Sequence, residues 1–293
     1  MDSDHILAFV LAGGEGARLR PLTREQAKPA VPFADGYRLI DFVLSNLVNS
    51  GLSSIYVLAQ YKPQLLIDHL AAAWGPGIRM LLPRNDGPGY TGTASAVQQN
   101  MDVVARERPE LVAVFAADHV YRMDLRQMAA FHRARGAQVS VAAVAVPIES
   151  AHSFGVIAAH ADGSVREFQE KPLRPRPLPG DASRAYASMG NYLFEPGVLA
   201  QALEQTLRRG GSDFGRHLLP QLPGRCAIYA YDLADNVVPG VAQYEERAYW
   251  RDVGTVPALL AAQDDVRGMR PRFNLHNPSW PIRGRVGEER SAA

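Results

Sequence analysis

The sequence of 293 residues predicts an α/β protein with a mixed, mostly parallel sheet flanked by helices. In the first half, short apolar runs alternate with segments whose apolar residues recur at helical spacing, which predicts right-handed βαβ units covered on both faces. In the second half, hairpin signals such as Asp162-Gly163 predict antiparallel strands added to a parallel core. The length fits one large α/β domain or two modest ones, and because the sequence shows no clean linker we expect one domain in two lobes.

Each element of the first half has a local signal. Apolar runs rich in β-branched residues predict strands over 6–12, 54–59, 78–82 and 111–117. Amphipathic spacing predicts helices over 37–50, 63–74 and 93–108, two of which end at Gly51 and at Gly75-Pro76-Gly77. Ligands of such sheets bind at the carboxyl ends of the strands, so we expect the site after residues 12 and 117.

The second half reads in the same way. Strands are predicted over 138–146, 154–159, 164–170, 186–194 and 226–233. Helices are predicted over 196–209, from 214 onward with Asp213 as the N-cap, and over 256–266. The proline-rich segment 173–181 is predicted to be a loop.

The segment after the first strand carries three glycines and three cations in under twenty residues. They are Gly13, Gly14, Gly16, Arg18, Arg20 and Lys28. Glycines in this place let backbone N–H groups approach an anion, and the cations neutralise phosphate charge. A plain tight turn is the alternative interpretation of the glycines. The segment is not a P-loop, because no Gly-Lys-Ser/Thr follows, and Leu19 replaces the third glycine of the dinucleotide fingerprint.

Bulk properties exclude several classes of protein. The net charge of +1 gives no global basic field for nucleic acid. A single cysteine, Cys226, excludes an internal disulfide and a thiolate metal cluster and fits a reducing compartment. No apolar run is long enough to span a membrane and no signal peptide precedes the first strand, so we expect a cytoplasmic protein. The sequence shows no pairing of a nucleophile with a histidine of the kind used in covalent catalysis.

Four charged residues suggest chemistry. Asp118 follows the strand 111–117, where a carboxylate suits Mg²⁺, although a cap is equally consistent with the residue alone. Asp252 lies in Trp-Arg-Asp-Val-Gly, which alone is more often a charged turn. Glu170 and Lys171 adjoin at a strand end, and their plain interpretation is a surface ion pair contributing at most about 1 kcal/mol.

Several ordered motifs resemble the sugar-1-phosphate nucleotidylyltransferases. They are Leu-Ala-Gly-Gly-x-Gly-x-Arg-Leu from Leu11, Lys-Pro-Ala from Lys28, Ala-Asp-His-Val-Tyr around Asp118, Glu-Lys-Pro from Glu170 and Trp-Arg-Asp-Val-Gly around Asp252. The longer stretches Lys-Pro-Ala-Val-Pro-Phe and Tyr-Arg-Leu-Ile-Asp-Phe-Val-Leu-Ser-Asn resemble the bacterial glucose-1-phosphate adenylyltransferase family in particular. The similarity runs from about Leu7 to Gly284.

This resemblance implies roles for individual residues. It implies catalytic roles for Arg18, Lys28, Asp118 and Asp252, of which Asp118 and Asp252 are the expected metal ligands. It implies nucleotide contacts for Leu11, Ala12, Gly13, Gly14 and Gly92. It implies sugar-phosphate contacts for Gly155, Glu170, Lys171 and Ser188, and we group Tyr90, which lines the pocket beside Gly92, with them.

The resemblance also implies a fold, a reaction and partners. The fold is the Rossmann-like nucleotide-diphospho-sugar transferase fold, with a nucleotide lobe over about 1–137, a sugar-phosphate lobe over about 138–255, and a C-terminal helix and linker over 256–284. The reaction joins ATP and glucose 1-phosphate into ADP-glucose and pyrophosphate with Mg²⁺, for glycogen or α-glucan synthesis. No nucleic acid or membrane partner is expected, and assembly into a homo-oligomer is left open. The alternatives are a UTP- or dTTP-using enzyme and a non-catalytic regulatory subunit.

Two departures from the family pattern matter. Residues 84–89, Arg-Asn-Asp-Gly-Pro-Gly, replace a longer stretch with paired glutamines and a tryptophan near adenine, so the base selectivity stays open. Family members continue after the segment like Asn277–Arg283 into a left-handed β-helix domain, whereas this sequence closes with a polar tail over 285–293. We expect a catalytic domain without that β-helix.

Overall fold

The computed structural model describes residues 5–84, 87 and 89–285. Its strands in chain order are β1 (Ile6–Leu11), β2 (Ser54–Leu58), β3 (Ile78–Leu81), β4 (Leu111–Ala116), β5 (His119–Tyr121), β6 (Val139–Pro147), β7 (Gly155–Ala159), β8 (Val165–Glu170), β9 (Arg184–Phe194), β10 (Ile228–Asp232) and β11 (Trp250–Asp252). Its helices are α1 (Leu39–Asn49), α2 (Gln64–His69), α3 (Thr93–Gln98), α4 (Met101–Glu107), α5 (Leu125–Ala134), α6 (Pro196–Arg208) and α7 (Val256–Asp265). The predicted α/β class, a mixed sheet with flanking helices, is confirmed.

The structure differs from the prediction in one predicted helix and in three elements that were not predicted. The helix predicted over 93–108 is interrupted at Asn100, whose side chain donates to the Ala96 carbonyl, so it competes with the helical backbone. Helix α5 was not predicted. The short strands β5 and β11 were not predicted either, because three residues are too few to show a periodicity.

The chain divides into two compact units, each assembled from separate segments. The first unit comprises residues 1–9, 83–115 and 125–236, and the second comprises residues 10–82, 116–124 and 237–293. These boundaries differ from the continuous lobes predicted over 1–137 and 138–255. Pairing of β5 with β11 gives one physical reason, since it ties residues 119–121 to residues 250–252. The functional assignment of the lobes stays a prediction.

The first unit contains a sheet in the order β10–β6–β9–β4. Strands β10 and β6 are parallel, whereas β9 runs antiparallel to β4, β6 and β7. The β7–β8 hairpin turns at Asp162-Gly163, where the Gly163 amide donates to the His160 carbonyl at 3.0 Å. The hairpin predicted from these two residues is confirmed. Its second strand, β8, ends at Glu170.

The second unit contains the parallel pair β2–β3, the antiparallel pair β5–β11 and helices α1, α2 and α7. Its core is a cluster of buried apolar side chains that includes Leu19, Phe42, Val120, Val253 and Leu259. In the sequence, Leu19 follows Arg18 and Val253 follows Asp252 directly, and Val120 lies two residues after Asp118. The core therefore fixes the backbone from which those charged side chains project.

Part of the sequence analysis lies outside the described residues. Asn85, Asp86 and Pro88 of the loop expected to influence base selectivity are among them, as are residues 286–293 of the tail. Among the residues that the structure describes, no helix combines the length and the apolar character needed to cross a bilayer.

Candidate active site

The loop after β1 carries the first glycines of the predicted nucleotide site. β1 ends at Leu11, and the Ala12 amide donates to the Leu58 carbonyl of β2 at 2.8 Å. Gly13 and Gly14 follow as exposed backbone, and a Cβ built on Gly14 would meet no atom within 4 Å. Exposed glycines after a strand leave their N–H groups accessible to an anion.

Gly16 allows this loop to approach Lys28 closely. Its φ is +65°, and a Cβ there would lie 2.9 Å from the Cβ of Lys28 and 3.0 Å from Cγ2 of Thr23. The Thr23 hydroxyl also donates to the Gly16 carbonyl at 2.9 Å. Both the left-handed conformation and the missing side chain are therefore needed at Gly16.

Lys28 is the buried centre of a group of charges. Its side chain is only 8 % exposed, and its Nζ lies 2.8 Å from Oδ2 of Asp118 and 3.4 Å from Oδ1 of Asp252. A buried ammonium requires such partners because desolvation of an unpaired charge is costly. We call Lys28, Asp118 and Asp252 the charge cluster. The sequence analysis assigned Lys28 to phosphate, whereas the structure pairs it with two carboxylates.

The pairing of β5 with β11 brings the two carboxylates together. Asp252 lies opposite His119, the residue after Asp118, and the neighbouring Val120 and Val253 are fully buried. Nε2 of His119 is 3.7 Å from Asp118 and 3.8 Å from Asp252. Packing of the two valines thus holds both acidic side chains at one end of the strand pair.

The charges of the cluster act on each other. Burial raises the pKa of the Asp118 carboxyl, but the charges of Lys28 and His119 outweigh burial and hold that pKa at about 2, below the ordinary 3.8. Burial lowers the pKa of Lys28, but the charges of Asp118 and Asp252 raise it above the ordinary 10.5. At neutral pH, Asp118 is therefore an anion and Lys28 a cation.

Arg18 lies beside the same cluster. Its side chain is exposed, while the next residue, Leu19, is fully buried and anchors the loop. A Cβ built on Gly254 would lie 2.8 Å from Nη2 of Arg18 and 3.0 Å from Oδ1 of Asp252. The guanidinium and the carboxylate therefore share the open face of Gly254, which leaves Arg18 accessible to a phosphate.

In the first unit, Glu170 and Lys171 lie where β8 ends. The Lys171 amide donates to the Phe154 carbonyl at 3.0 Å, and the residue has a φ of +48°. Such a conformation is unfavourable for lysine, and residues held in it are often functional. Nζ of Lys171 is 3.8 Å from Oε1 of Glu170, and the lysine side chain is half exposed.

Two glycines press against the Glu170 carboxylate. A Cβ on Gly215 would lie 2.6 Å from Oε2 of Glu170, and one on Gly155 would lie 3.2 Å from the same oxygen. Burial raises the pKa of Glu170 above 4.5, partly offset by the charge of Lys171. We call Gly155, Glu170, Lys171 and Gly215 the Glu170 site. The absence of side chains at its two glycines leaves room for the Glu170 carboxylate.

The predicted Tyr90–Gly92 segment also lies in the first unit. The Tyr90 hydroxyl accepts from Nδ2 of Asn100 at 3.0 Å, and burial raises the pKa of Tyr90. A Cβ on Gly92 would collide with the Ser212 carbonyl oxygen. That same oxygen accepts from the amide of Ala94 at 2.8 Å. Gly92 therefore allows two chain segments to meet.

Ser188 is buried in β9, next to an irregularity in the pairing with β6. The Gly190 amide donates to its hydroxyl at 3.2 Å. Burial raises the pKa of Tyr192, and a hydrogen bond with Ser188 opposes that shift, while the charges of Asp213 and Glu170 add to it. Ser188 is thus linked to the surroundings of Glu170 through Tyr192.

The structure brings the predicted residues together in two groups. Lys28, Asp118 and Asp252 are in direct contact, and Arg18 lies beside Gly254 in the same unit. The other group comprises Tyr90, Gly92, Gly155, Glu170, Lys171 and Ser188, all in the first unit. Asp213, interpreted as a cap, does accept from the Arg216 amide at 3.0 Å.

Sequence reasoning missed His119, Thr93 and Gly215 as parts of these groups. His119 is next to Asp118, but one histidine beside one acid has no spacing that indicates a site. Thr93 follows Gly92, and Gly215 lies two residues after Asp213, so both stand beside residues that the sequence analysis named. Their roles depend on which distant segment they touch, and the linear pattern does not contain that information.

The fold and these two groups define the class of protein. Residues 7–268 match the family model described as nucleotidyl transferase, so the chain belongs to that family. Members of the family use nucleotide and sugar-phosphate substrates and a divalent metal.

The chain is similar to bacterial proteins named glucose-1-phosphate adenylyltransferase. It is 47 % identical over 293 residues to the protein of that name from Thermodesulfovibrio yellowstonii. The alignment covers 94 % of this chain and 70 % of the relative. The chain is 48 % identical over 289 residues to that of Corynebacterium diphtheriae, covering 95 % and 67 % of the two chains. The protein of that name from Mycobacterium tuberculosis is 46 % identical over 294 residues, with coverages of 96 % and 72 %.

Proposed function

We propose that this chain transfers the adenylyl group of ATP to glucose 1-phosphate, which gives ADP-glucose and pyrophosphate for glycogen or α-glucan synthesis. The charge cluster carries the proposal, because Lys28, Asp118 and Asp252 meet from three distant segments, each inside a motif that resembles this family. The names of the relatives support adenosine and glucose as the two groups that are joined.

In the proposed reaction, a phosphate oxygen of glucose 1-phosphate forms a bond to the α-phosphorus of ATP. The bond from that phosphorus to the oxygen bridging the α- and β-phosphates breaks, and pyrophosphate leaves with its electron pair. Both reactants are anions, so catalysis requires that like charges be held together and stabilised in line. No protein nucleophile is needed.

We assign phosphate contacts to Arg18 and to the backbone of Gly13 and Gly14, because these groups are exposed cations and N–H donors. Lys28 keeps Asp118 and Asp252 in place through its two ion pairs and adds positive charge beside the reacting phosphates. Leu11 and Ala12, with Gly92, complete the proposed nucleotide contacts.

We assign the sugar phosphate to the Glu170 site. Lys171 supplies a half-exposed ammonium, which suits a phosphate as a compact point charge. Glu170 accepts hydrogen bonds from sugar hydroxyls, and Gly155 and Ser188 add polar contacts. Tyr90 lines the pocket as proposed from its motif.

The donor set of the charge cluster fits a divalent metal, and we propose Mg²⁺. Asp118 and Asp252 would hold the ion, because two carboxylates completed by phosphate oxygens and water are a common Mg²⁺ arrangement. Within residues 5–84, 87 and 89–285, no cluster of three or more acidic, histidine or cysteine side chains has a metal-binding arrangement, which agrees with such a partial protein shell. When bound, Mg²⁺ supplies neutralisation of phosphate charge. The cytoplasm, which holds both substrates, is the proposed location.

Release of pyrophosphate tests the proposed function. The purified chain is incubated with glucose 1-phosphate, Mg²⁺ and ATP, UTP, dTTP, GTP or CTP in parallel, and reactions without glucose 1-phosphate are the negative control. We expect release with ATP. Preference for UTP or dTTP would replace ATP as the proposed nucleotide. Nucleotide binding by isothermal titration, without pyrophosphate release from any of the five nucleotides, would favour a non-catalytic subunit.

A further inference from the structure

Thr93 joins two segments of the first unit by its side chain. Its hydroxyl donates to Oδ2 of Asp213 at 3.0 Å and accepts from the amide of Phe214 at 2.9 Å. Thr93 is the first residue of α3 and directly follows Gly92. We call residues 91–99 the nucleotide segment, because Gly92 within it is assigned to nucleotide contacts. Asp213 and Phe214 belong to a segment that borders the residues assigned to sugar phosphate.

The backbone makes the same connection. The carbonyl of Ser212 accepts from the amide of Ala94 at 2.8 Å and from that of Ser95 at 3.3 Å. Gly92 has no side chain at the point of closest approach, and a Cβ there would collide with Ser212. The two segments are therefore held together at the threonine by hydrogen bonds in both directions.

The segment bonded to Thr93 touches the Glu170 site. Gly215 follows Phe214 directly, and its backbone packs against the Glu170 carboxylate, as the 2.6 Å distance from a Cβ at that position to Oε2 shows. Displacement of Phe214 therefore moves the wall of the Glu170 site.

Phe214 also supports Ser188. Its ring is 2 % exposed and stacks on the ring of Tyr192, with centroids 5.7 Å apart and planes 13° apart. Tyr192 is hydrogen-bonded to Ser188, the other residue assigned to the sugar phosphate. The Thr93 hydroxyl thus fixes one segment on which both Glu170 and Ser188 depend.

We propose that Thr93 is a positioning residue for the sugar-phosphate site, although it lies in the nucleotide segment. This inference rests on the proposed function, because it assumes that glucose 1-phosphate binds at the Glu170 site. It yields an unusual expectation: a substitution among the nucleotide residues weakens binding of the sugar phosphate more than binding of ATP.

Steady-state kinetics of Thr93→Val test this proposal. Valine keeps the shape of threonine and removes both hydrogen bonds, so Asp213 and Phe214 each lose a partner. We expect the KM for glucose 1-phosphate to rise about tenfold, while kcat and the KM for ATP change less than about threefold. Thr93→Ser keeps the hydroxyl and is expected to restore the KM to within about twofold of the original.

Ser95→Ala is the matched control on the same helix. The Ser95 hydroxyl accepts from the Thr91 amide at 3.3 Å and from the Gln99 side chain at 3.4 Å, so its bonds remain inside the nucleotide segment. We expect no change in the KM for glucose 1-phosphate. If Thr93→Val does not fold, Thr93→Cys replaces it, because a thiol is a weak donor and acceptor of similar size.

Three outcomes would overturn the proposal. An unchanged KM for glucose 1-phosphate in Thr93→Val would do so, as would an increase confined to the KM for ATP, or a loss of kcat and thermal stability with both KM values unchanged. If the original chain shows no turnover, the proposed function fails separately. Isothermal titration of glucose 1-phosphate then compares the original chain with Thr93→Val, and equal affinities, or no binding to either, would overturn the positioning role.

Discussion

The charge cluster and the Glu170 site place carboxylates in opposite environments. In the charge cluster, Lys28 is paired with Asp118 and Asp252, and the pKa of Asp118 is held at about 2. In the Glu170 site, burial raises the pKa of Glu170, and the nearest cation, Lys171, is 3.8 Å away and half exposed. The first arrangement depends on charge pairs and the second on missing side chains.

This difference predicts which kind of substitution each region tolerates. Removal of either aspartate leaves the buried ammonium of Lys28 with a single carboxylate, and removal of Lys28 leaves two neighbouring carboxylates without their cation, so both changes are costly. Addition of a methyl group at Gly215 displaces the end of a flexible side chain, so the fold is kept while the Glu170 carboxylate moves. Each of the next three experiments changes one of the two regions and tests whether the regions respond differently.

Asp118→Asn is expected to have the largest effect. The amide keeps the size of the side chain but removes the negative charge that pairs with Lys28, so turnover should fall a hundredfold or more, about 3 kcal/mol. The measurement is kcat for pyrophosphate release with ATP and glucose 1-phosphate. The control is Asp68→Asn on the exposed face of α2, for which we expect an unchanged kcat. A near-normal kcat in Asp118→Asn would remove Asp118 from the catalytic residues.

Gly215→Ala is expected to have an intermediate effect. The new Cβ would lie 2.6 Å from Oε2 of Glu170, so the carboxylate must move and the KM for glucose 1-phosphate should rise about tenfold with kcat nearly unchanged. Gly197→Ala in α6 is the matched control, because a Cβ there meets no atom within 4 Å. Equal KM values for both variants would separate Gly215 from the sugar-phosphate site.

The smallest expected effect is on stability in acid. The pKa of Asp118 is about 2 in the folded chain and 3.8 as the ordinary value, so this carboxylate stabilises the fold fully above pH 3.8. That contribution is lost as the pH falls from 3.8 through about 2. Because Asp118 is partly exposed to solvent, its contribution to the free energy of unfolding is small.

Urea denaturation at pH 5 and at pH 2.5 measures this contribution as the free energy of unfolding. The original chain should lose more stability between the two pH values than Asp118→Asn does, because the variant has no carboxyl to protonate at that position. Asp68→Asn should behave like the original chain. The same loss in all three proteins would show that Lys28 does not lower the pKa of Asp118.

The sequence predicted more of the fold than of the contacts within the sites. Strands such as Leu111–Ala116 and the hairpin at Asp162-Gly163 follow from apolar runs and turn residues, which act over a few neighbours. The interruption at Asn100 was missed because it depends on a side chain that bonds the helix backbone. Helix α5 was also missed, although its buried Leu125, Met128 and Ala129 follow helical spacing.

Within the sites, the motifs identified the residues but not their partners. Lys28 was assigned to phosphate, and its ion pairs with Asp118 and Asp252 depend on the pairing of β5 with β11, which are too short to predict. The closeness of Gly215 to Glu170 likewise depends on a tertiary contact. Contacts between distant segments are set by packing of the whole unit, which no local pattern records.

The separation of 224 residues between Lys28 and Asp252 has a consequence for synthesis of the chain. At about 5–20 residues per second, a ribosome adds Asp252 roughly 10–45 s after Lys28. During that interval the ammonium lacks one of the two carboxylates beside which it is finally buried. The glycine loop of a nascent chain therefore reaches its final state late, and a chaperone that shields it would act in that window.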